Sequence, residues 1–343
     1  MNRRAHSRFR RLAGRLLPAL AFVTAFVSAF LSNCSAAAAQ SQDTEKEIVA
    51  NLAGGRVIVH VTKDNVIVFA AIDHPVEAGS VPPRVADLDS THIGVMLGAS
   101  EWRLPADPKP IRLDRDFQRI GRRDPRNASD PTGAEPDLET FGVAFLETLR
   151  PLTGQLHHKI DIASDEPLFE IVIIGFAPNH YGPEVWTVEY RIQQEQVGVR
   201  AEYWQTRILR PRFTQLYPPE KHAPRTIVEA RYPSNVKAPT VMEMIQGNDP
   251  RVAQLRNGEP RFGKVLEVVD RGQAQKAVSI DAQDFMRALL PLIAGKATFM
   301  LGKMDEERGL DWIVPPEEPV DKTKKDDKDR PPDAPSLRKK PQR

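Results

Sequence analysis

Two β-branched runs place the tightest limit on what this chain can fold into. Val57-Ile58-Val59-His60-Val61 and Val66-Ile67-Val68-Phe69-Ala70-Ala71-Ile72 are separated only by Thr62-Lys63-Asp64-Asn65, which is turn chemistry. The pair reads as a β-hairpin. Its second run is apolar along its length, so that strand needs cover on both faces. A lone half-solvated sheet cannot supply such cover, and a layered architecture is expected.

Further elements follow the same logic. Arg84-Val85-Ala86-Asp87-Leu88 and His92-Ile93-Gly94-Val95-Met96-Leu97-Gly98 form a second strand pair around Asp89-Ser90-Thr91. Residues 101–136, rich in proline and charge, read as a surface excursion. Asp137 can cap a helix from Leu138, with Leu138, Phe141, Phe145, Leu146, Leu149 and Leu152 on one apolar stripe. Phe169–Phe176 and Val185–Ile192 make a third hairpin. Ser279 can cap a helix from Ile280, with Phe285, Met286, Leu289, Leu290 and Ile293 on its buried face. Leu310–Val314 is a last strand. Residues 193–240 give short strand-like pieces between prolines. The expected class is α+β, with antiparallel sheets layered against helices in a single domain over 54–314. Residues 40–53 read as a polar leader with helical character. Residues 315–343, charged and proline-rich, read as a disordered tail that cannot bury enough apolar surface to offset its ordering entropy.

The N-terminus carries an address. Arg3, Arg4, Arg8, Arg10, Arg11 and Arg15 precede an apolar run from Leu16 to Leu31, and small residues follow, so residues 1–39 read as a signal peptide. The protein is expected to be exported to the periplasm, to an outer-membrane attachment, or outside the cell. Two processing routes stay open. Leu31-Ser32-Asn33-Cys34 resembles a lipobox, which would lipidate Cys34, the chain's single cysteine; cleavage after Ala39 would discard it. The formal charge of +2 belongs to this segment. Without its six arginines, 42 basic residues face 46 acidic ones. A mildly acidic mature chain speaks against nucleic-acid binding, which depends on neutralising phosphates. Membrane contact would then run only through a lipid on Cys34.

Three stretches resemble the N-terminal nucleophile hydrolases of the proteasome-like branch. They are Lys63 to Asp73 with its Ala70-Ala71-Ile72-Asp73 ending, Arg84-Val85-Ala86-Asp87, and Ile171 to Tyr190 with Gly175-Phe176 and Pro183-Glu184-Val185-Trp186. The resemblance implies a four-layer αββα sandwich. It also implies a free N-terminal Thr, Ser or Cys at the first strand, whose own amine serves as base, with a lysine nearby. Here Gly54-Gly55 is followed by Arg56, which is no nucleophile. Leu88 stands at the lysine position, and the family aspartate falls on Ile72 with Asp73 one place later. The resemblance therefore implies a degenerate, non-catalytic copy that binds an unidentified protein partner or self-associates.

The alternative is an exported hydrolase with another nucleophile, for which Asp73, His74, His92 and Ser100 are the nearest candidates. The Gly-x-Ser-x-Gly elbow is absent; Gly98-Ala99-Ser100-Glu101 is a fragment of it. His60, His74 and His92 fall on or beside the first four strands, yet no metal-ligand spacing or cofactor loop occurs, so no metal and no cofactor is expected. Trp186, Tyr190, Tyr203 and Trp204 form an aromatic-rich middle, suited either to a sheet core or to a ligand wall. Arg207, Arg210 and Arg212 read as a charged strand edge.

Overall fold

A computed structural model describes residues 48–73, 83–89, 91–104, 110–123, 138–177, 181–198, 203–219, 225–295 and 297–316. The signal segment with Cys34, His74, the Asp137 cap and the tail beyond residue 316 lie outside these. The strands begin with β1 (Val49–Asn51), β2 (Gly54–Val61), β3 (Val66–Asp73), β4 (Arg84–Asp87), β5 (His92–Gly98), β6 (Glu101–Arg103) and β7 (Ile111–Arg112). Helices α1 (Leu113–Arg123) and α2 (Leu138–Thr153) follow. Then come β8 (Phe169–Ala177), β9 (Gly182–Tyr190), β10 (Ile192–Gln196), β11 (Trp204–Ile208), β12 (Arg212–Tyr217) and β13 (Ile227–Tyr232). The chain continues as α3 (Val241–Gln246), α4 (Pro250–Gly258), α5 (Pro260–Asp270), α6 (Ser279–Ala294), β14 (Thr298–Asp305) and β15 (Gly309–Val314).

The class is α+β. Two five-stranded antiparallel sheets dominate, in the orders β12-β9-β8-β5-β4 and β13-β2-β3-β14-β15. Val57, Val59, Val61, Val66, Val68, Ala70 and Ile72 pack from one sheet against Ile93, Val95, Leu97, Val172, Ile174, Phe176 and Val185 of the other. The alternate residues of β2 and β3, such as Ile58, Ile67 and Phe69, face α3 to α6 through Val241, Phe262, Phe285, Met286 and Leu289. On the far face of the other sheet, Phe117 of α1 and Phe145 of α2 meet Met96, Phe169, Ile171 and Tyr190. The order is helix, sheet, sheet, helix. This explains why β3 has no polar alternation: each face is an interior.

Aromatic geometry anchors α2. Phe145 stands edge-on to Tyr190 and to Phe117 at centroid distances of 5.6 and 4.9 Å, and the Tyr190 hydroxyl donates to the Gly142 carbonyl at 3.0 Å. Such T-shaped packing favours a single arrangement over a merely greasy contact.

Several expectations change. Within the expected helical leader, Val49–Asn51 is a strand paired with β6. The stretch from residue 101 holds β6, β7 and α1 rather than a surface excursion only, and Trp102, Leu113 and Phe117 in it are fully buried. Ser279 is the first residue of α6, not its cap; Val278 holds the cap position, and the Ser279 hydroxyl instead accepts a hydrogen bond from Asn65 Nδ2, tying the helix to the β2–β3 turn. Helices α3 to α5 and strand β14 were not expected. Thr240 and Glu243 close a reciprocal capping box at α3, and Asp249 caps α4.

Candidate functional site

The start of β2 is where the resemblance asks for a nucleophile. Gly54 pairs with Asp73, and Gly55 with Ile72. A side chain at position 55 has no space: its Cβ would stand 2.9 Å from the Ala71 carbonyl oxygen, from Ile72 Cδ1 and from Leu97 Cδ2. Arg56 turns to the opposite face, where its guanidinium lies 3.6 Å from Glu229 Oε1.

Among the described candidates, His92 stands apart from Asp73 and Ser100. Asp73 is exposed at the end of β3. Ser100 is buried, and its backbone N–H donates to the Gly98 carbonyl at 2.8 Å; that carbonyl also accepts from Ala53 N–H at 3.4 Å. Ser100 and Asp73 thus share one end of the sandwich. His92 opens β5 at the other end, roughly 20 Å from Gly98 at ~3.3 Å per residue. His60 is fully buried on the face of β2 that meets α3 to α6, so both sheets separate it from His92. Neither His60 nitrogen has a hydrogen-bond partner, and burial lowers its pKa to about 4. Among the described residues, no group of His, Cys, Asp and Glu side chains is arranged to hold a metal ion.

His92 instead sits in a clamp. Its Nδ1 lies 3.1 Å from Asp89 Oδ2 and its Nε2 3.0 Å from Glu184 Oε1, with the ring 2% exposed. Burial alone would lower its pKa. The hydrogen bonds and charges of Asp89 and Glu184 outweigh that effect and raise it to about 9. Burial pushes the two carboxylates up, but His92 holds both below their ordinary range. At neutral pH the ring is an imidazolium donating from both nitrogens. It has no free lone pair and cannot serve as a general base. Gly175, opposite His92 on β8, makes the space: a Cβ there would fall 2.1 Å from His92 Cδ2.

The clamp reaches a groove through Trp186. The indole Nε1 donates to Glu184 Oε2 at 2.9 Å, and the same residue lines a cavity of about 530 Å³. Consecutive residues of two strands border it: Phe213 to Leu216 of β12 and Ile227 to Glu229 of β13, with Arg225, Thr240 and Met242 alongside. Each of these strands is the terminal one of its sheet. A terminal strand turns every second backbone N–H and C=O away from its neighbour. Glu229 Oε2 accepts from Val241 N–H at 2.8 Å. Its Oε1 has no hydrogen-bond partner, the nearest guanidinium groups, Arg56 and Arg231, standing at 3.6 and 3.8 Å; burial raises this carboxyl's pKa.

A second buried carboxyl lies between the sheets. Burial, with Glu189 and then Glu166 nearby, raises Glu170 to about 8, and its Oε1 has no hydrogen-bond partner. The aromatic middle divides: Tyr190 is core, Trp186 is a groove wall, Tyr203 stacks on His157 at 4.6 Å, and Trp204 lies under Lys159. Sequence reasoning singled out His92 but neither its partner Glu184 nor the buried Glu229 of β13. A local signal existed only for Asp89, whose carboxylate accepts from Thr91 N–H in a short turn. No protein-family model matches this chain, and no curated protein matches it in sequence.

Proposed function

We propose that this chain is an exported cell-envelope protein that works by binding a protein partner or a second copy of itself, as a non-catalytic relative of the proteasome-like N-terminal nucleophile hydrolases. The observation that carries the reading is at Arg56, the residue that cleavage after Gly55 would make N-terminal, which has no hydroxyl or thiol to attack with. The glycine before it sits in filled space, where a Cβ would meet Ala71, Ile72 and Leu97. The next residue, Arg56, is committed to the far side of the sheet beside Glu229. The helix–sheet–sheet–helix order is the architecture that the resemblance implies. Export is supported by the six arginines ahead of the Leu16–Leu31 run, and any membrane attachment would run through Cys34. The recess between β12 and β13 gives such a protein a place to bind.

Mass spectrometry of the protein recovered from an expressing bacterium tests the reading. The expected N-terminus is a lipidated Cys34 or Gln40. A new terminus at Gly55 or Arg56, produced without added protease, would reveal self-cleavage and overturn it. Labelling by a fluorophosphonate that disappears in Ser100→Ala would favour a hydrolase instead.

A further inference from the structure

We infer that the recess between β12 and β13 takes an extended segment of a partner polypeptide, which joins β12 as an added strand. The inference rests on the binding reading above and specifies its ligand. Both bordering strands end their sheets, and the recess follows their backbones over four consecutive residues of one and three of the other. A recess of that kind presents amide donors and carbonyl acceptors at every second residue. The ligand whose own groups repeat at that spacing is another extended chain. Four residues of β12 span roughly 13 Å at ~3.3 Å each. The volume of about 530 Å³ is that of a ligand site rather than a packing defect.

Glu229 adds an independent observation. Its side chain is 4% exposed, it lines the recess, and its Oε1 lacks a hydrogen-bond donor. Buried acceptors are normally satisfied. An N–H of the segment lying in the recess, where it passes Glu229, would supply the missing bond. The walls favour apolar side chains: Trp186, Phe213 and Met242 are all partly buried there. Glu184 fixes the Trp186 ring, so this wall is formed before any ligand arrives. The charged lining residues, Arg225 and Glu229, have opposite signs, which suits a polypeptide better than a polyphosphate.

The test uses the full mature chain. Random dodecapeptides displayed on phage are selected on it, and the enriched sequences are synthesised in plain form and with N-methyl groups on either alternate set of amides. The plain peptides are expected to bind saturably and to slow amide exchange at residues 212–217. N-methylation of one set should weaken binding at least about tenfold, as should Phe213→Arg in the protein, with thermal unfolding confirming that the variant is folded. Failure of any peptide to enrich would overturn the inference, as would N-methylated peptides binding undiminished. Peptides that bind Phe213→Arg equally well would also overturn it while leaving the binding reading intact. Self-cleavage at Gly55, by contrast, would remove the reading itself. Sedimentation separates the other occupant: a dimer that Phe213→Arg turns into a monomer would assign the recess to a second copy.

Discussion

His92 Nε2 lies 3.0 Å from Glu184 Oε1, and this contact joins the return strand of one hairpin, β5, to the return strand of another, β9, 92 residues later. Because the other Glu184 oxygen accepts from Trp186, the protonation state of one buried imidazole bears on the wall of the groove. The histidine is a structural cation here, and its consequences are measurable.

The clamp should give the protein an alkaline limb. With the folded pKa near 9 and an ordinary value of 6.5, its stabilisation is complete below about pH 6.5 and is lost as pH rises through 9. The expected loss is on the order of 3 kcal/mol. His92→Gln should unfold at lower denaturant at pH 6 and show little further weakening between pH 7 and 9. Trp186 fluorescence in the wild type should change over the same interval. An unchanged pH profile in the variant would contradict the clamp.

His60 should act in the opposite direction. Its folded pKa, near 4, lies below 6.5, so its contribution is present above about pH 6.5 and lost as pH falls through 4. Because both ring nitrogens are buried without partners, His60→Leu should remove an unsatisfied polar group and stabilise the fold by roughly 1–3 kcal/mol. Chemical denaturation at pH 5 and pH 7 checks this, with the larger gain expected at pH 5.

Glu170 makes the neutral range uneven. Its folded pKa, near 8, exceeds the ordinary 4.5, so the folded state keeps a proton that the unfolded chain releases. Stability should therefore decline from about pH 4.5 to pH 8, by an order of a few kcal/mol. Glu170→Gln is isosteric with the protonated acid and should flatten that slope, leaving a variant more stable than the wild type at pH 8 by urea titration.

Position 55, directly before the missing nucleophile, tests how tightly the start of β2 is packed. Gly55→Thr puts a Cβ 2.9 Å from three fixed neighbours and should cost roughly 2–4 kcal/mol, typical of overpacking a filled core. It should release no new N-terminus. A stable, self-processing Gly55→Thr protein would show that the space can open.

Local patterns made much of the fold legible. Hairpins β2–β3 and β8–β9 were visible because β-branched runs flank short polar turns. Helices α2 and α6 were visible because Phe141, Phe145 and Leu149, or Phe285 and Leu289, repeat at helical spacing. The stretch after Ser100 was misread because its prolines and charges look solvated, although Leu113, Phe117 and Ile120 carry a helical stripe that packs inward. Helices α3 to α5 were overlooked because Asn248-Asp249-Pro250 and Glu259-Pro260 cut them short, leaving each period too brief to read.

By itself the sequence determined that β2, β3, β8 and β9 are strands, that α2 and α6 are amphipathic helices, and that β3 must be covered twice, because side-chain periodicity is a property of neighbours along the chain. Only the tertiary structure decided that His92 meets Glu184, that Arg56 meets Glu229, and that His60 meets nothing polar. Those outcomes depend on strand order and register, which bring distant residues within hydrogen-bond reach or hold them apart by the thickness of two sheets.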